Sequence, residues 1–171
     1  MKTTTFSLSP GGLNKVRLCA INDTKLETFN VYKNLAWLNE VSFNDAVSVF
    51  LSCSGSEMWA RRMAEFRPFA MLEKLYETAS SLWFALPRGE WIAAFSCLEP
   101  HFADESLIEE ARLYKEKFGF IFVVFPNSKT SKEMLAICRA RFGNSVETEL
   151  QIAAEEHWKM LERELDKLLE K

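Results

Sequence analysis

The sequence lacks most of the features that assign a function at first sight. Its 171 residues include only six glycines, five prolines and two histidines, and its four cysteines form no Cys-x-x-Cys pair. So few turn-forming residues argue against an all-β chain, and widely spaced cysteines argue against a zinc knuckle or a thioredoxin-type site. A net charge of −3 provides no positive field for nucleic acid or anionic lipid, so we expect neither partner.

Long hydrophobic runs are absent as well. Residues 1–10 carry no apolar stretch of the kind that a secretory signal needs, and no stretch approaches the length of a membrane span. We therefore expect a cytoplasmic protein with reduced, ordinary buried or half-buried thiols at Cys19, Cys53, Cys97 and Cys138.

From residue 34 onward the apolar residues follow a helical period. Apolar residues make up 48% of the chain and aromatic residues 13%, which is enough for the core of one domain. Ser42 predicts one helix start, Thr130 with Glu133 predicts a capping box, and Asn144 with Glu147 predicts a second box.

The apolar stripes of these helices predict which side chains form the core. Phe43 and Phe66 fall on such stripes, and Pro68 suits the first turn of the helix that follows it. The stripe of the long last helix includes Trp158, so we expect His157 to lie at a surface or an interface.

Two stretches depart from the helical pattern. Residues 1–33 form an N-terminal extension, in which the runs 16–21 and 26–32 flank a turn and predict either a short β-hairpin or a loosely ordered arm. Phe120–Phe125 is a continuous apolar run, and it predicts either a buried strand or an extended segment threaded between helices.

Four stretches, in one order along residues 35–171, carry a resemblance that none of them would carry alone. They are Leu38-Asn39 with Phe43 and Phe50; Cys53–Trp59 leading to Arg67-Pro68-Phe69; Tyr114–Val124; and Glu133–Arg141 followed by Gly143-Asn144 and Glu147–Ala153. Together they resemble the decarboxylases of 2-oxo-4-hydroxy-4-carboxy-5-ureidoimidazoline (OHCU), which act in urate breakdown.

The resemblance implies an all-α fold for residues 34–171: a single-domain helical bundle with an extended apolar segment near residues 120–125. It also implies a homodimer, no metal or organic cofactor, and a small ureido- or imidazoline-type ligand. In the family the apolar segment lines the substrate pocket, partly through its backbone. The matching substrate-binding positions are Phe122, Val123, Val124, Phe125 and Pro126; plain core is the other interpretation of this segment.

The catalytic position of the family is altered. Family members carry a His before a Pro in a His-Pro-x-(Ile/Leu)-Gly pattern, and the matching run is Glu99-Pro100-His101-Phe102-Ala103. Pro100 matches and is assigned to the substrate pocket. Glu99 stands at the His position and His101 follows the proline, so both are catalytic candidates, although a solvated helix end is the other interpretation.

Two further elements of the family pattern are missing. A downstream Ser-x-x-Glu-Gln segment has no counterpart between Ala103 and the next predicted helix. The arginines that the family places in the last helix, to pair with the substrate's charge, match Glu162 and Glu164, which would repel a carboxylate.

These differences leave three hypotheses. The first is a diverged family member that has lost the decarboxylase reaction and keeps a ligand pocket. The second is an active carbon–carbon lyase that makes (S)-allantoin with a remodelled site. The third is a structural or interaction module.

Overall fold

The computed structural model of this protein describes residues 31, 33–98 and 102–170. Within these residues the chain forms eight α-helices and no strand, so the all-α prediction is confirmed. Helix α1 includes residues 33–40. The others are α2 (Phe43–Ser54), α3 (Glu57–Glu65), α4 (Leu72–Phe84), α5 (Arg88–Phe95), α6 (Glu105–Phe118), α7 (Ser131–Arg141) and α8 (Val146–Glu170).

Two of the predicted helix starts are confirmed by their hydrogen bonds. The Ser42 side chain accepts a bond from the backbone N–H of Asp45, so it caps α2. Thr130 and Glu133 form the reciprocal capping box at the start of α7. Both caps satisfy backbone donors that have no partner inside the first turn of a helix.

The predicted cap of α8 is wrong by one residue. Ser145 accepts the bond from the Thr148 N–H at 3.2 Å, so it caps the helix in place of Asn144. The Asn144 side chain instead donates to the buried carboxylate of Glu149 at 2.8 Å. An interaction with a residue inside the helix has therefore replaced the local cap.

Three tryptophans fix the centre of the bundle. Trp59 and Trp83 are fully buried, and their indole N–H groups donate to the carbonyls of Ala79 and Ala154 at 2.9 and 3.0 Å. Trp91 donates in the same way to the carbonyl of Trp83. Because each buried indole N–H has a partner, these large side chains fill the core without leaving a donor unpaired.

The predicted core is wrong at its edges. Phe43 is 41% exposed and Phe66 is 56% exposed, since both lie at the ends of their helices, where the apolar face turns towards solvent. Pro68 lies in the connection before α4, which begins only at Leu72, so it does not start that helix.

The apolar run after α6 is extended, as one of the two interpretations predicted. Gly119 ends α6 with a positive φ of 82°, and residues 121–126 then adopt neither helix nor strand. With no neighbouring strand among the described residues, the run cannot form a sheet ladder, and side chains of other elements bind its backbone instead.

The register of α8 differs from the predicted one. His157 is 2% exposed and packs in the core, whereas Trp158 is only half-buried. His157 lies four residues before Leu161 and three after Ala154, so it belongs to the buried stripe of the helix. The prediction of a surface or interface position for His157 is therefore wrong.

The ends of the described chain come together. The Asn34 side chain of α1 donates to the carbonyl of Leu169, near the end of α8. Val31 is already helical, three residues before the predicted start of the domain, while the predicted N-terminal hairpin lies outside the described residues. Among the helices that the structure describes, none combines the length and the apolarity needed to cross a membrane.

Candidate functional site

The three central candidates, Glu99, Pro100 and His101, lie outside the described residues, so their assignment stays a prediction. The flanking residues are described. Cys97 and Leu98 follow the end of α5, and Phe102 precedes α6.

The segment that matches the family's substrate wall is mostly core. Phe122, Val123 and Val124 are no more than 6% exposed, whereas Phe125 is half-buried and Pro126 is exposed. The ring of Phe122 packs against Tyr114 and Phe102, with centroid distances of 5.2 and 6.4 Å.

Side chains of this protein bind three backbone groups of this segment. Arg141 donates to the Val123 carbonyl at 2.7 Å, and the Phe125 N–H donates to Glu156 at 2.7 Å. Lys129 donates to the Phe125 carbonyl at 2.8 Å. Each of these three backbone groups therefore has a partner within the protein, and the Phe125 N–H has no further hydrogen to donate to a ligand.

Arg141 belongs to a buried polar cluster. Its guanidinium pairs with Glu149, which is fully buried, and Glu149 also accepts bonds from Tyr114 and Asn144. Burial, followed by the bond to Glu149, raises the pKa of Tyr114 above its usual range, so its hydroxyl stays protonated as a donor. Sequence reasoning included these positions only as part of the resemblance.

A cavity of about 380 Å³ lies next to α8. It is lined by residues 51–55 at the end of α2, by Ala94, Cys97 and Leu98 at the end of α5, and by His157. Two helix ends that are far apart in sequence thus meet at this cavity.

Gly55 permits this close approach. It ends α2 with a positive φ of 69°, and a Cβ at this position would lie 3.1 Å from the Cys97 Cβ and 3.2 Å from the Ala94 carbonyl oxygen. The exposed Cys97 thiol is 3.7 Å from the carbonyls of Gly55 and Ala93. The prediction that every cysteine is buried or half-buried is therefore wrong for Cys97.

His157 is the ionisable group of this cavity. Its ring packs against Trp83 and Phe95, with centroid distances of 4.7 and 5.5 Å. Burial lowers the pKa of His157 to about 4, although a hydrogen bond to the Ser54 backbone opposes this. The imidazole is therefore neutral at physiological pH, and its Nδ1 atom has no hydrogen-bond partner among the described residues.

A second cavity, of about 370 Å³, lies between α6 and the apolar segment. Phe102, Ile121 and Phe122 line it together with Arg112 and Lys115. Arg112 is already paired with Glu109 and Glu116 on the surface of α6. Phe122 thus reaches a cavity through its side chain, but with hydrophobic neighbours and surface cations around it.

The two glutamates at the family's arginine positions lie on α8. Glu164 is half-buried and pairs with Lys167 at 2.6 Å, while Glu162 is exposed. In the described part of the chain, no group of three or more His, Cys, Asp or Glu side chains is arranged to hold a metal ion.

These features define a class: an all-α protein with an extended buried segment, one cavity next to its last helix and a second cavity between α6 and that segment. Comparison with known proteins identifies the family. The family model for OHCU decarboxylase matches residues 101–163. The chain is 30% identical to an OHCU decarboxylase crystallised in the presence of (S)-allantoin, covering 71% of this chain and 97% of that one, with a TM-score of 0.65. This chain belongs to the OHCU decarboxylase family.

Two further relatives define the extent of this likeness. The Arabidopsis thaliana uric acid degradation bifunctional protein TTL is 31% identical over 68% of this chain. The chain spans 45% of the length of that relative. An (S)-allantoin synthase is 17% identical with a TM-score of 0.65, covering 78% of this chain and 53% of that one, so it supports the fold alone.

Proposed function

We propose that this protein is a member of the urate-degradation family that has lost the OHCU decarboxylase reaction and has kept small-molecule binding. The observation that carries the proposal is the start of α6. Asp104 caps this helix by accepting a bond from the Leu107 N–H, directly after Ala103. No residues are left there for the family's Ser-x-x-Glu-Gln segment, which supplies a carboxylate and an amide to the reaction.

The charge on α8 supports the same proposal. Glu164 stands where the family has an arginine, and it pairs with Lys167 on the same helix. A carboxylate at this position opposes the binding of a carboxylate-bearing substrate. Loss of acid/base groups alone lowers rates by about 10²–10⁴, and loss of positioning lowers them further.

The test is turnover of freshly generated OHCU, followed by circular dichroism because OHCU and allantoin are chiral. We expect the substrate to decay at its spontaneous rate and to give racemic allantoin, as it does with a heat-denatured sample. Binding of (S)-allantoin is measured separately by calorimetry. Rapid formation of a single allantoin enantiomer, lost in Glu99→Ala or His101→Ala, would contradict the proposal.

The second hypothesis, an active lyase, is favoured by one observation. His157 is a buried, neutral imidazole in a cavity that also contains Cys97 and Leu98, the two residues before Glu99. An unprotonated imidazole can act as a base. If turnover is found, comparing Glu99→Ala, His101→Ala and His157→Ala identifies the group responsible.

We also propose a homodimer, as the family resemblance implies. Several large apolar side chains are exposed, including Trp37 at 46% and Met58 at 41%. Exposed apolar surface supports an association face. Light scattering coupled to size exclusion should give twice the monomer mass, and a monomer at micromolar concentration would contradict this expectation.

A further inference from the structure

Two cysteines line the cavity at the ends of α2 and α5. Cys53 is the residue before the last in α2 and is half-buried, whereas Cys97 lies in the turn after α5 and is exposed. Neither of them is among the positions that the family resemblance assigns to catalysis or to substrate binding. Two thiols that border one cavity can form a disulfide if the backbone allows them to approach.

The backbone next to these two thiols is already in close contact. A Cβ on Gly55, two residues after Cys53, would lie 3.1 Å from the Cys97 Cβ. A disulfide joins residues whose Cα atoms are about 4.4–6.8 Å apart, so it requires two chain segments that approach this closely. Because Cys97 lies in a turn and not within a helix, its side of the contact can adjust.

Weak contacts hold the Cys97 thiol in its present position. Its sulfur is 3.7 Å from the carbonyl oxygens of Gly55 and Ala93, and an S–H group is a weak donor. Turning this side chain into the cavity therefore costs little. The described lining contains no charged side chain apart from that of His157, whose low pKa leaves it neutral at physiological pH. An uncharged disulfide suits such walls better than a thiolate does.

We propose that Cys53 and Cys97 form a reversible intramolecular disulfide, with oxidised glutathione or a similar small disulfide as the oxidant. The Cys97 thiolate attacks one sulfur of oxidised glutathione, breaks its S–S bond and releases one molecule of reduced glutathione. The Cys53 thiolate then attacks the Cys97 sulfur of the mixed disulfide and releases the second molecule. The two protein thiols are oxidised, and their protons go to the two glutathione thiolates.

The order of the two attacks follows from the exposure of the two residues. Cys97 is exposed and meets the oxidant, whereas Cys53 is half-buried and resolves the mixed disulfide. Both helices end at this cavity, and the carboxyl end of a helix disfavours a thiolate, so we expect the reaction to take hours and not seconds. The product is a covalent link between the end of α2 and the turn after α5. This site goes beyond the proposed function.

Mass spectrometry tests the pair directly. The folded protein is incubated with oxidised glutathione, alkylated with N-ethylmaleimide under denaturing conditions and digested without reduction. We expect two of the four cysteines to escape alkylation, and a linked peptide that contains Cys53 and Cys97. Dithiothreitol should restore full alkylation. The same incubation in urea is the control, and it should give a mixture of pairings because proximity no longer selects one.

Variants then test the role of each residue. Cys53→Ser should retain a mixed glutathione disulfide at Cys97, and Cys97→Ser should react much more slowly. Cys138→Ser should form the disulfide as the parent protein does, because Cys138 is buried in α7. Gly55→Ala places a Cβ against Cys97, and we expect it to lower the equilibrium constant of the disulfide about tenfold relative to Gly119→Ala, which meets nothing within 4 Å.

Four results would overturn the proposal. They are a stable mixed disulfide at Cys97 without the linked peptide, disulfides between two molecules, the same mixture of pairings in the folded and unfolded protein, or no reaction. Each of them is read on the unaltered protein, so a variant that does not fold leaves the test intact. Turnover of OHCU and binding of (S)-allantoin are measured under reducing conditions. Failure of the disulfide therefore leaves the proposed function standing, and the reverse also holds.

Discussion

Helix α8 carries two buried ionisable side chains about two turns apart, and their surroundings differ. Glu149 is fully buried, pairs with Arg141 and accepts bonds from Tyr114 and Asn144. His157 is buried to nearly the same degree, but its Nδ1 atom has no partner among the described residues.

This difference separates a buried group with several polar partners from one whose second ring nitrogen has none in the described part of the chain. The Glu149 cluster satisfies its charges and, through Arg141, holds the Val123 carbonyl of the extended segment. Arg141 therefore satisfies a backbone acceptor that a neighbouring strand would satisfy in a sheet. The Nδ1 atom of His157 instead has no partner within the described part of the chain, which costs stability unless a water supplies a donor.

The largest expected effect comes from breaking the buried pair. Arg141→Met leaves the Glu149 carboxylate buried without its cation, and we expect the free energy of unfolding to fall by about 3–5 kcal/mol. Urea unfolding followed by tryptophan fluorescence measures it. Arg139→Met, which removes a surface pair with Glu110, is the matched control and should cost less than about 1 kcal/mol. Equal losses of stability in the two variants would show that the buried pair contributes no more than the surface pair.

The next effect is a pH dependence that belongs to His157. Burial holds its pKa at about 4 in the folded protein, below the unfolded value of about 6.5. The unfolded state therefore binds more protons between these values. The contribution is fully present above pH 6.5 and is lost as the pH falls towards 4.

Between pH 7 and pH 4 the protein should lose about 3 kcal/mol more stability than the His157→Phe variant does. Chemical unfolding at several pH values checks this, and the carboxylates titrate in both proteins, so they cancel in the comparison. Parallel curves for the two proteins would show that His157 is protonated as readily in the fold as outside it.

A smaller effect is expected inside the Glu149 cluster. Tyr114→Phe removes one donor to the carboxylate but leaves Arg141 and Asn144 in place. A hydrogen bond to a charged group contributes roughly 1.5–3 kcal/mol, so we expect a loss near the middle of that range. An unchanged unfolding midpoint would mean that Arg141 and Asn144 are sufficient for Glu149.

The smallest expected effect is the difference in stability between alanine substitutions at two glycines with positive φ. Gly119→Ala meets nothing within 4 Å, so only the left-handed backbone opposes it, at about 1–2 kcal/mol. Gly55→Ala carries the same strain and also brings a Cβ to 3.1 Å from Cys97. We expect Gly55→Ala to unfold more easily by about a further 1 kcal/mol and to slow alkylation of Cys97. The opposite order would mean that the end of α5 moves away freely.

The fold was largely predictable because its signals are local. The capping residues Ser42 and Thr130, together with the helical period, fix the starts of helices within a few neighbouring residues. The prediction for Asn144 failed because its partner, Glu149, is a buried residue of the following helix. Phe43 and Phe66 were misplaced because a stripe indicates a face of a helix, and not which part of that face is covered.

The candidate site was less predictable. The register of α8 contained the signal for His157, since three or four residues separate it from buried neighbours on either side, but Trp158 competed for the same stripe. Nothing in the sequence indicated that Gly55 and Cys97 touch, because they are 42 positions apart. Glu99, Pro100 and His101 rest on the family resemblance alone.

The sequence by itself determined the helices, two of their caps, the extended run after α6 and the family, because these depend on neighbouring residues or on patterns in a fixed order. Only the tertiary structure decided that Arg141 holds the Val123 carbonyl and that His157 lies in the core, with an Nδ1 atom that lacks a partner among the residues the structure describes. Burial and hydrogen bonding between distant segments set the charge state of each group, and no local pattern encodes them.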